Sequence, residues 1–180
     1  MRKLKHQEIR RLTTTGFDES SKHPISILID NVRSAYNVGS ILRTSDAARV
    51  EHVYLTGISP PPSHKLVHKT ALGAQETVST STVTDPAGLI QELREKGYTI
   101  AALELTDTPF AVSDITPDHF PMLLIVGNEL SGVDDELIGD ADLAIEIPQY
   151  GTKQSLNVAV AYGIAIFGLV DQYRSNQQSV

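Results

Sequence analysis

The chain has 180 residues, 41% of them hydrophobic and 21% charged, which suits one domain with a real core and would be cramped for two. It contains no cysteine, so disulfides, thiolate metal sites and cysteine nucleophiles are excluded, and the composition fits a reducing cytoplasm. No apolar run is long enough to span a membrane and no apolar segment follows the charged start, so export is not expected, while a net charge of −7 argues against a generally basic nucleic-acid-coating protein.

The charge is unevenly spread. Residues 1–11 carry five cations (Arg2, Lys3, Lys5, Arg10 and Arg11) against Glu8, a net of +4, and the remaining residues sum to −11. Residues 1–20 read as a basic arm able to reach a phosphate backbone, ahead of a single domain over 21–175. A solvated, frayed terminus would have the same composition.

From residue 25 onward, short β-branched runs alternate with amphipathic stretches. The pattern predicts a buried strand at 25–29 and a helix at 38–48 with Asn37 as its N-cap. A second strand at 52–55 ends before Pro60, Pro61 and Pro62, which force an extended or turning loop. A short helix over 64–72 leads through Gly73 to a Thr/Val-rich strand near 76–80. Asp85 and Pro86 open a helix to Lys96, closed by Gly97, with Leu89, Ile90 and Leu93 on its inner stripe. Strands follow at 98–105 and 122–126, then a short helix at 133–138, a strand at 143–147 and a long last helix at 156–173. Six strands separated by helices predict an α/β domain: a mostly parallel sheet with helices on both faces.

In such a sheet, ligands bind beyond the carboxyl ends of the strands. The loops there span 30–37, 104–108, 127–132 and 148–157, and they are rich in glycine and hydrogen-bonding side chains. Gly127 and Gly132 flank Asn128-Glu129-Leu130-Ser131 after the most apolar strand, either as a plain strand-to-helix turn or as a close approach beneath a ligand. Ser155 and Asn157 stand where a helix opens, after Pro148 and Gly151. A cap explains one of them easily, while the pair also suits a ligand that is part ring and part polar tail. Arg43 lies in a helix of small and apolar residues, where it either pairs with Asp46 one turn on or aims a guanidinium at phosphate or a developing alkoxide. No Gly-x-Gly-x-x-Gly follows the first strand and no Gly-x-x-x-x-Gly-Lys-Ser/Thr occurs, which disfavours a dehydrogenase or a phosphate-loop ATPase. His64 and His68 are four apart with no third ligand, so no metal site is expected.

Three segments, taken in order, resemble the SpoU/TrmH family of RNA ribose 2′-O-methyltransferases within the SPOUT superfamily. They are Asn37-Val-Gly-Ser-Ile-Leu-Arg43-Thr-Ser-Asp-Ala47, Leu124-Ile-Val-Gly-Asn-Glu129-Leu-Ser-Gly132-Val, and Ile147-Pro148-Gln-Tyr-Gly151-Thr-Lys-Gln-Ser155-Leu156-Asn157-Val-Ala-Val-Ala161. The resemblance covers roughly residues 25–173. It implies a C-terminal deep trefoil knot, an exception to the rule against knotting. It also implies an S-adenosylmethionine site held by Leu105, Val126, Gly127, Ile147, Pro148, Gly151, Ser155 and Leu156.

The implied catalytic set is Arg43, Asn37, Glu129, Ser155 and Asn157. Arg43 matches the arginine that activates the ribose hydroxyl or holds the adjoining phosphate. Guanidinium groups stay protonated, which favours alkoxide stabilisation and phosphate positioning over simple general-base chemistry. Asn37 would orient this arginine or the ribose, Glu129 would fix the loop, and Ser155 and Asn157 would shape the donor site. The family implies a homodimer through the first helix and the last, where Ala159, Ala161, Ala165 and Gly168 permit close approach. Ala159 stands where many relatives have serine, and Gln149 where methionine is common.

No added RNA-binding domain is expected, so the arm and the dimer surface would hold a structured RNA, and tRNA suits a minimal enzyme better than rRNA. The alternatives are a base-nitrogen methyltransferase of the same fold, and a non-catalytic RNA-binding or assembly factor with a vestigial donor site.

Overall fold

A computed structural model describes residues 1–9 and 12–177. Seven strands form one sheet: β1 (His23–Asp30), β2 (Val50–Thr56), β3 (Thr80–Val83), β4 (Thr99–Leu103), β5 (Pro109–Ala111), β6 (Met122–Val126) and β7 (Leu143–Glu146). Their spatial order is β3-β2-β1-β6-β4-β7-β5, and every neighbouring pair is parallel. The helices are α1 (Thr14–Glu19), α2 (Ala35–Ala48), α3 (Lys65–Ala71), α4 (Ala74–Thr77), α5 (Pro86–Glu95), α6 (Asp135–Gly139) and α7 (Val158–Gln177).

The two central strands are apolar without a break because both of their faces are covered. Ile25, Ile27 and Ile29 of β1, with Met122, Leu124 and Val126 of β6, point to a core shared with α2, α3 and α7. Leu28, Leu123 and Ile125 point the other way, to Ile90 and Leu93 of α5 and Leu137 of α6. Alternation with a period of two thus supplies both cores from the same strands.

The helix ends follow local chemistry. The Ser34 hydroxyl accepts from the Asn37 amide at 3.3 Å, and the Asp85 carboxylate accepts from the Gly88 amide at 2.9 Å with Pro86 in the first turn. Helices α2 and α3 approach backbone to backbone at Gly39, where any side chain would collide with Thr70 and with the Val67 carbonyl. A buried hydrogen bond of 2.7 Å between Ser45 and Tyr162 ties α2 to α7.

Several boundaries differ from those expected. The cap of α2 is Ser34, not Asn37, because the Asn37 amide is engaged elsewhere. The third strand lies at Thr80–Val83, since 74–77 closes as a helical turn behind Gly73. The fourth strand stops at Leu103, and α7 begins at Val158 behind Asn157, so Leu156 lies outside it. A seventh strand, Pro109–Ala111, pairs with β7 at the sheet edge. In the basic segment, Arg2 pairs with Glu8 at 2.7 Å, and Phe17 of α1 is buried with the Lys22 ammonium over its ring. Arg10 and Arg11 lie outside the described residues. No helix among the described residues is long and apolar enough to cross a membrane.

Candidate active site

A cavity of about 450 Å³ opens beyond the carboxyl ends of β4, β6 and β7, at the foot of α7. This is within the size range of pre-formed small-molecule sites. Its apolar wall includes Leu103, Val126, Ile145, Ile147, Leu156 and Val158, and its polar rim includes Glu104, Glu129, Glu146, Gln149, Ser155 and Asn157. Three glutamates line it and no lysine, arginine or histidine does. An apolar slot with a negative rim suits a ligand with a flat ring and a positive charge.

The rim is held by a directed chain of hydrogen bonds. Glu129 accepts from the Arg33 and Ser34 amides, each at 3.0 Å, and from Asn37 Nδ2 at 2.8 Å. Asn37 Oδ1 accepts from Asn157 Nδ2 at 3.2 Å, and Asn157 Oδ1 accepts from the Ala159 amide at 3.0 Å, at the start of α7. The direction of every link is forced. A carboxylate can only accept, so Asn37 must turn its NH2 toward Glu129, and a backbone N–H can only donate, so Asn157 must turn its oxygen toward α7. One N–H of each amide lies outside these links; Asn157 lines the cavity, and Asn37 stands behind it.

Glu129 also faces the amino end of α2, where negative charge is favoured. Partial burial pushes its carboxyl up, but hydrogen bonds from its own amide, Arg33, Asn37 and Ser34 outweigh that and hold it below the ordinary value.

The loop after β6 closes on itself. Asn128 and Gly132 exchange backbone hydrogen bonds at 2.8 and 3.0 Å, and the Asn128 side chain donates to the Asn31 carbonyl at 2.7 Å. A side chain at Gly127 would collide with the backbone of Gly132 and Val133, so this position requires glycine for close approach. Glu104, at the end of β4, accepts from the Leu105 and Val133 amides at 2.9 and 3.0 Å and supports the loop from below. Its role was missed in the sequence, although its place at a strand end beside an apolar wall was a usable signal. The Thr106 hydroxyl, next to Leu105, is buried and has no hydrogen-bond partner among the described residues.

The expected residues therefore divide. Asn37, Glu129 and Asn157 are joined directly, and Leu105, Val126, Gly127, Ile147, Ser155 and Leu156 line the cavity. Pro148 and Gly151 are exposed and lie outside the lining. Arg43 is not at this cavity. It lines a separate hollow between α2, α3 and α7. It does not pair with Asp46, whose carboxylate accepts from the Thr77 hydroxyl at 2.6 Å. His64 uses its ring nitrogen to cap α3, accepting from the Leu66 amide at 3.2 Å. Among the described residues no group of three histidines, aspartates or glutamates is placed to hold a metal.

Comparison with known proteins agrees with this architecture. The SpoU rRNA Methylase family matches residues 24–167. The tRNA (guanosine(18)-2′-O)-methyltransferase of Aquifex aeolicus is 34% identical over 151 residues, 83% of this chain and 70% of that protein. The 23S rRNA (guanosine-2′-O-)-methyltransferase RlmB of Neisseria meningitidis serogroup B is 31% identical over 146 residues, 81% of this chain but 58% of that one. Among solved structures, the A. aeolicus TrmH/SpoU tRNA modifying enzyme superposes with a TM-score of 0.78 at 30% identity, covering 87% of this chain and 79% of its own. An AdoMet-bound rRNA methyltransferase from Sinorhizobium meliloti gives 0.77 at 27% identity, covering 91% and 62%. The chain thus spans between 58% and 70% of the length of those two curated relatives. With one family description running from the first strand into the last helix, and relatives above 30% identity over the same span, this chain belongs to the SpoU rRNA methylase family.

Proposed function

We propose that the chain is an S-adenosylmethionine-dependent RNA methyltransferase acting on a ribose 2′-hydroxyl of tRNA or rRNA. The observation that carries this is the Glu129–Asn37–Asn157 chain at the rim of a cavity whose lining is apolar and anionic. The cavity fits the methyl donor by chemistry: Leu105, Val126, Ile147 and Leu156 would enclose a ring, and the glutamate rim complements a sulfonium. When bound, that group supplies an electrophilic methyl carbon and needs no further activation.

The protein's own work is positioning and the exclusion of water. Asn37 and Asn157 offer their uncommitted N–H groups to a ribose or an adjoining phosphate. Glu129 holds both amides and the start of α2 in register. Ser155 supplies a hydroxyl at the cavity mouth, and Arg43 stabilises a developing alkoxide or grips a phosphate. Pro148 and Gly151 act through the backbone of the loop that carries Gln149 and Ser155.

The reading includes a homodimer. Val160, Ile164 and Phe167 recur on one face of α7 and are about half exposed, as is Tyr36 of α2, and such a stripe on a helix otherwise facing the core suits a second copy. A dimer through this face would let Arg43 serve the partner's cavity, which accounts for its separation from its own. It also includes a trefoil knot. The chain leaves β4 for the far edge at β5, returns to insert β6 between β1 and β4, then inserts β7 between β4 and β5, and these crossings favour threading. Residues 1–20 act as a basic arm anchored by Phe17, residues 21–175 as the methyltransferase domain, and the enzyme works in the cytoplasm with tRNA preferred over rRNA.

The test is transfer of labelled methyl from S-adenosylmethionine to separated tRNA and rRNA pools lacking their own ribose methylation, followed by nucleoside analysis. Label is expected in a 2′-O-methylnucleoside. Donor binding with no transfer to either pool would favour a non-catalytic RNA-binding protein, and label on a base would overturn ribose chemistry.

A further inference from the structure

The mouth of the cavity at the strand ends carries apolar side chains that the fold leaves in water. Leu105 and Leu130, from the loops after β4 and β6, line the cavity and are exposed, Leu130 to 79%. Tyr150, in the loop after β7, follows the lining residue Gln149 and is 96% exposed. Leaving such groups in water forgoes most of what their burial would contribute, and clustered exposure of this kind marks a surface that meets something.

Leu130 is not free to fold inward. Its amide donates to Asn128 Oδ1 at 2.8 Å, the Ser131 amide donates there at 3.3 Å, and Asn128 and Gly132 close the turn through their backbones. A braced turn thus holds an apolar side chain out at the lip. Tyr150 has no ring partner among the described residues. β6 and β7 flank β4, so the two loops leave the sheet on either side of it. Neither residue belongs to the α7 stripe assigned above to a second copy. Two exposed cations on the strand-end loops, Arg33 after β1 and Lys153 after β7, have no ion-pair partner among the described residues. Cations beside a ring and a leucine complement a ligand that joins a phosphate to a flat ring.

The reaction dictates what reaches this mouth. The accepting oxygen is on C2′ of a ribose and the base hangs from the neighbouring C1′, so a 2′-hydroxyl brought to the cavity carries its base to the lips. In a duplex the 2′-hydroxyls lie along a shallow groove that shows base edges, while the base faces stay stacked on one another. Tyr150 and Leu130 would remain in water against such a groove. An unpaired base offers its faces, and aromatic side chains are what those faces stack on.

We propose that the lips seat the unpaired base of the target nucleotide, with Tyr150 stacking on its face and Leu130 as a second wall. The proposal rests on the reading of the chain as a ribose methyltransferase. It adds the substrate class, a nucleotide in a single-stranded loop, and makes Tyr150 a specificity-determining residue.

The chain has no tryptophan, so Tyr150→Trp sets a single indole on the proposed seat. Its emission is followed as unmodified tRNA and rRNA transcripts, an oligoadenylate strand, or the same strand annealed to oligouridylate are added. Filter binding of the same RNAs compares the wild type with Tyr150→Ala, Tyr150→Phe and Leu130→Ala. The transcripts and the free strand should quench the indole, and the duplex should not. Tyr150→Ala should weaken binding of the free strand roughly five- to 150-fold. Leu130→Ala should weaken it less, and Tyr150→Phe should stay close to the wild type. The slope of log K against log salt should be the same in all four, because no charge is removed. Affinity for S-adenosylmethionine and sedimentation mass should also be unchanged.

Full RNA affinity in Tyr150→Ala overturns the proposal, as does RNA bound by Tyr150→Trp with unchanged emission or equal quenching by strand and duplex. Loss of S-adenosylmethionine affinity in Tyr150→Ala would assign the ring to the donor, and a change in sedimentation mass would assign it to a seam between copies. Either overturns the seat. Quenching with the expected selectivity but no methyl transfer would remove the enzymatic reading alone. Transfer to a 2′-hydroxyl with unchanged emission would remove the seat alone, and failure to bind any of the RNAs overturns both.

Discussion

The cavity at the strand ends and the Arg43 hollow are reached from the same helix, with Asn37 bonded to the rim of one and Arg43 lining the other, and they are finished to different degrees. Asn37 and Arg43 are six residues apart on α2, about 9 Å along its axis. At Asn37 the polar groups are joined within the chain, carboxylate to amide, amide to amide and amide to helix terminus, with one N–H of each amide outside these links. At Arg43 cations are gathered and left without counter-charge. The first region is pre-organised by these bonds, and the second is not.

The largest expected effect comes from breaking the open region. Arg43→Ala should lower methyl transfer by about a hundredfold or more, as loss of a charge-stabilising donor does, while calorimetry finds donor affinity within about twofold of wild type. A donor affinity that fell in step with transfer would mean that the two regions are one site. Next comes the closed region. Glu129→Ala removes the acceptor for two amides and Asn37, and should cost about 1–3 kcal/mol in urea unfolding while weakening donor binding. Ser45→Ala should cost about 1–2 kcal/mol by leaving the buried Tyr162 hydroxyl unsatisfied, with part of that recovered in the double variant carrying Tyr162→Phe.

The smallest effect is a pH dependence. The Glu129 carboxyl is held below its ordinary value of 4.5, so its contribution is fully present above that value and is lost as pH falls through the lowered native one. Thermal unfolding followed from neutral pH into the acid range should therefore show a steeper loss for wild type than for Glu129→Gln. Parallel curves would deny the carboxylate its part in the closed region.

Much of this was legible in the sequence, and the exceptions have physical causes. The apolar runs at 25–29 and 122–126 announce buried parallel strands, and the strand-end loops mark where the cavity lies. Pro109–Ala111 was missed because three residues at an edge carry no alternation to read. Asn37 reads as the cap of α2 because its side chain can accept from a helix amide; in the fold that side chain is taken by the distant Glu129, and Ser34 caps instead. Arg43 reads as one catalytic set with Asn37, Glu129, Ser155 and Asn157, and its place in a separate hollow was not legible because linear motifs say nothing about which side of a helix faces which hollow. Glu104 lies outside the three motifs, and its part in holding the loop after β6 arises only from a contact made across the fold.

The position of β6 has a consequence for how the molecule is made. It lies between β1 and β4, yet it is the sixth of seven strands to leave the ribosome, so β1, β2 and β3 have no link to β4 until residues 122–126 have been synthesised, and β5 joins only when β7 follows. Those parts can only be joined by contacts distant in sequence, which makes assembly slow and leaves the flanks of β1 and β4 exposed meanwhile. Glu129 follows that strand by three residues, so the polar chain at the cavity rim is among the last features to form. A nascent chain released early would hold Asn37 and Arg43 on a formed helix and have nothing to set them against.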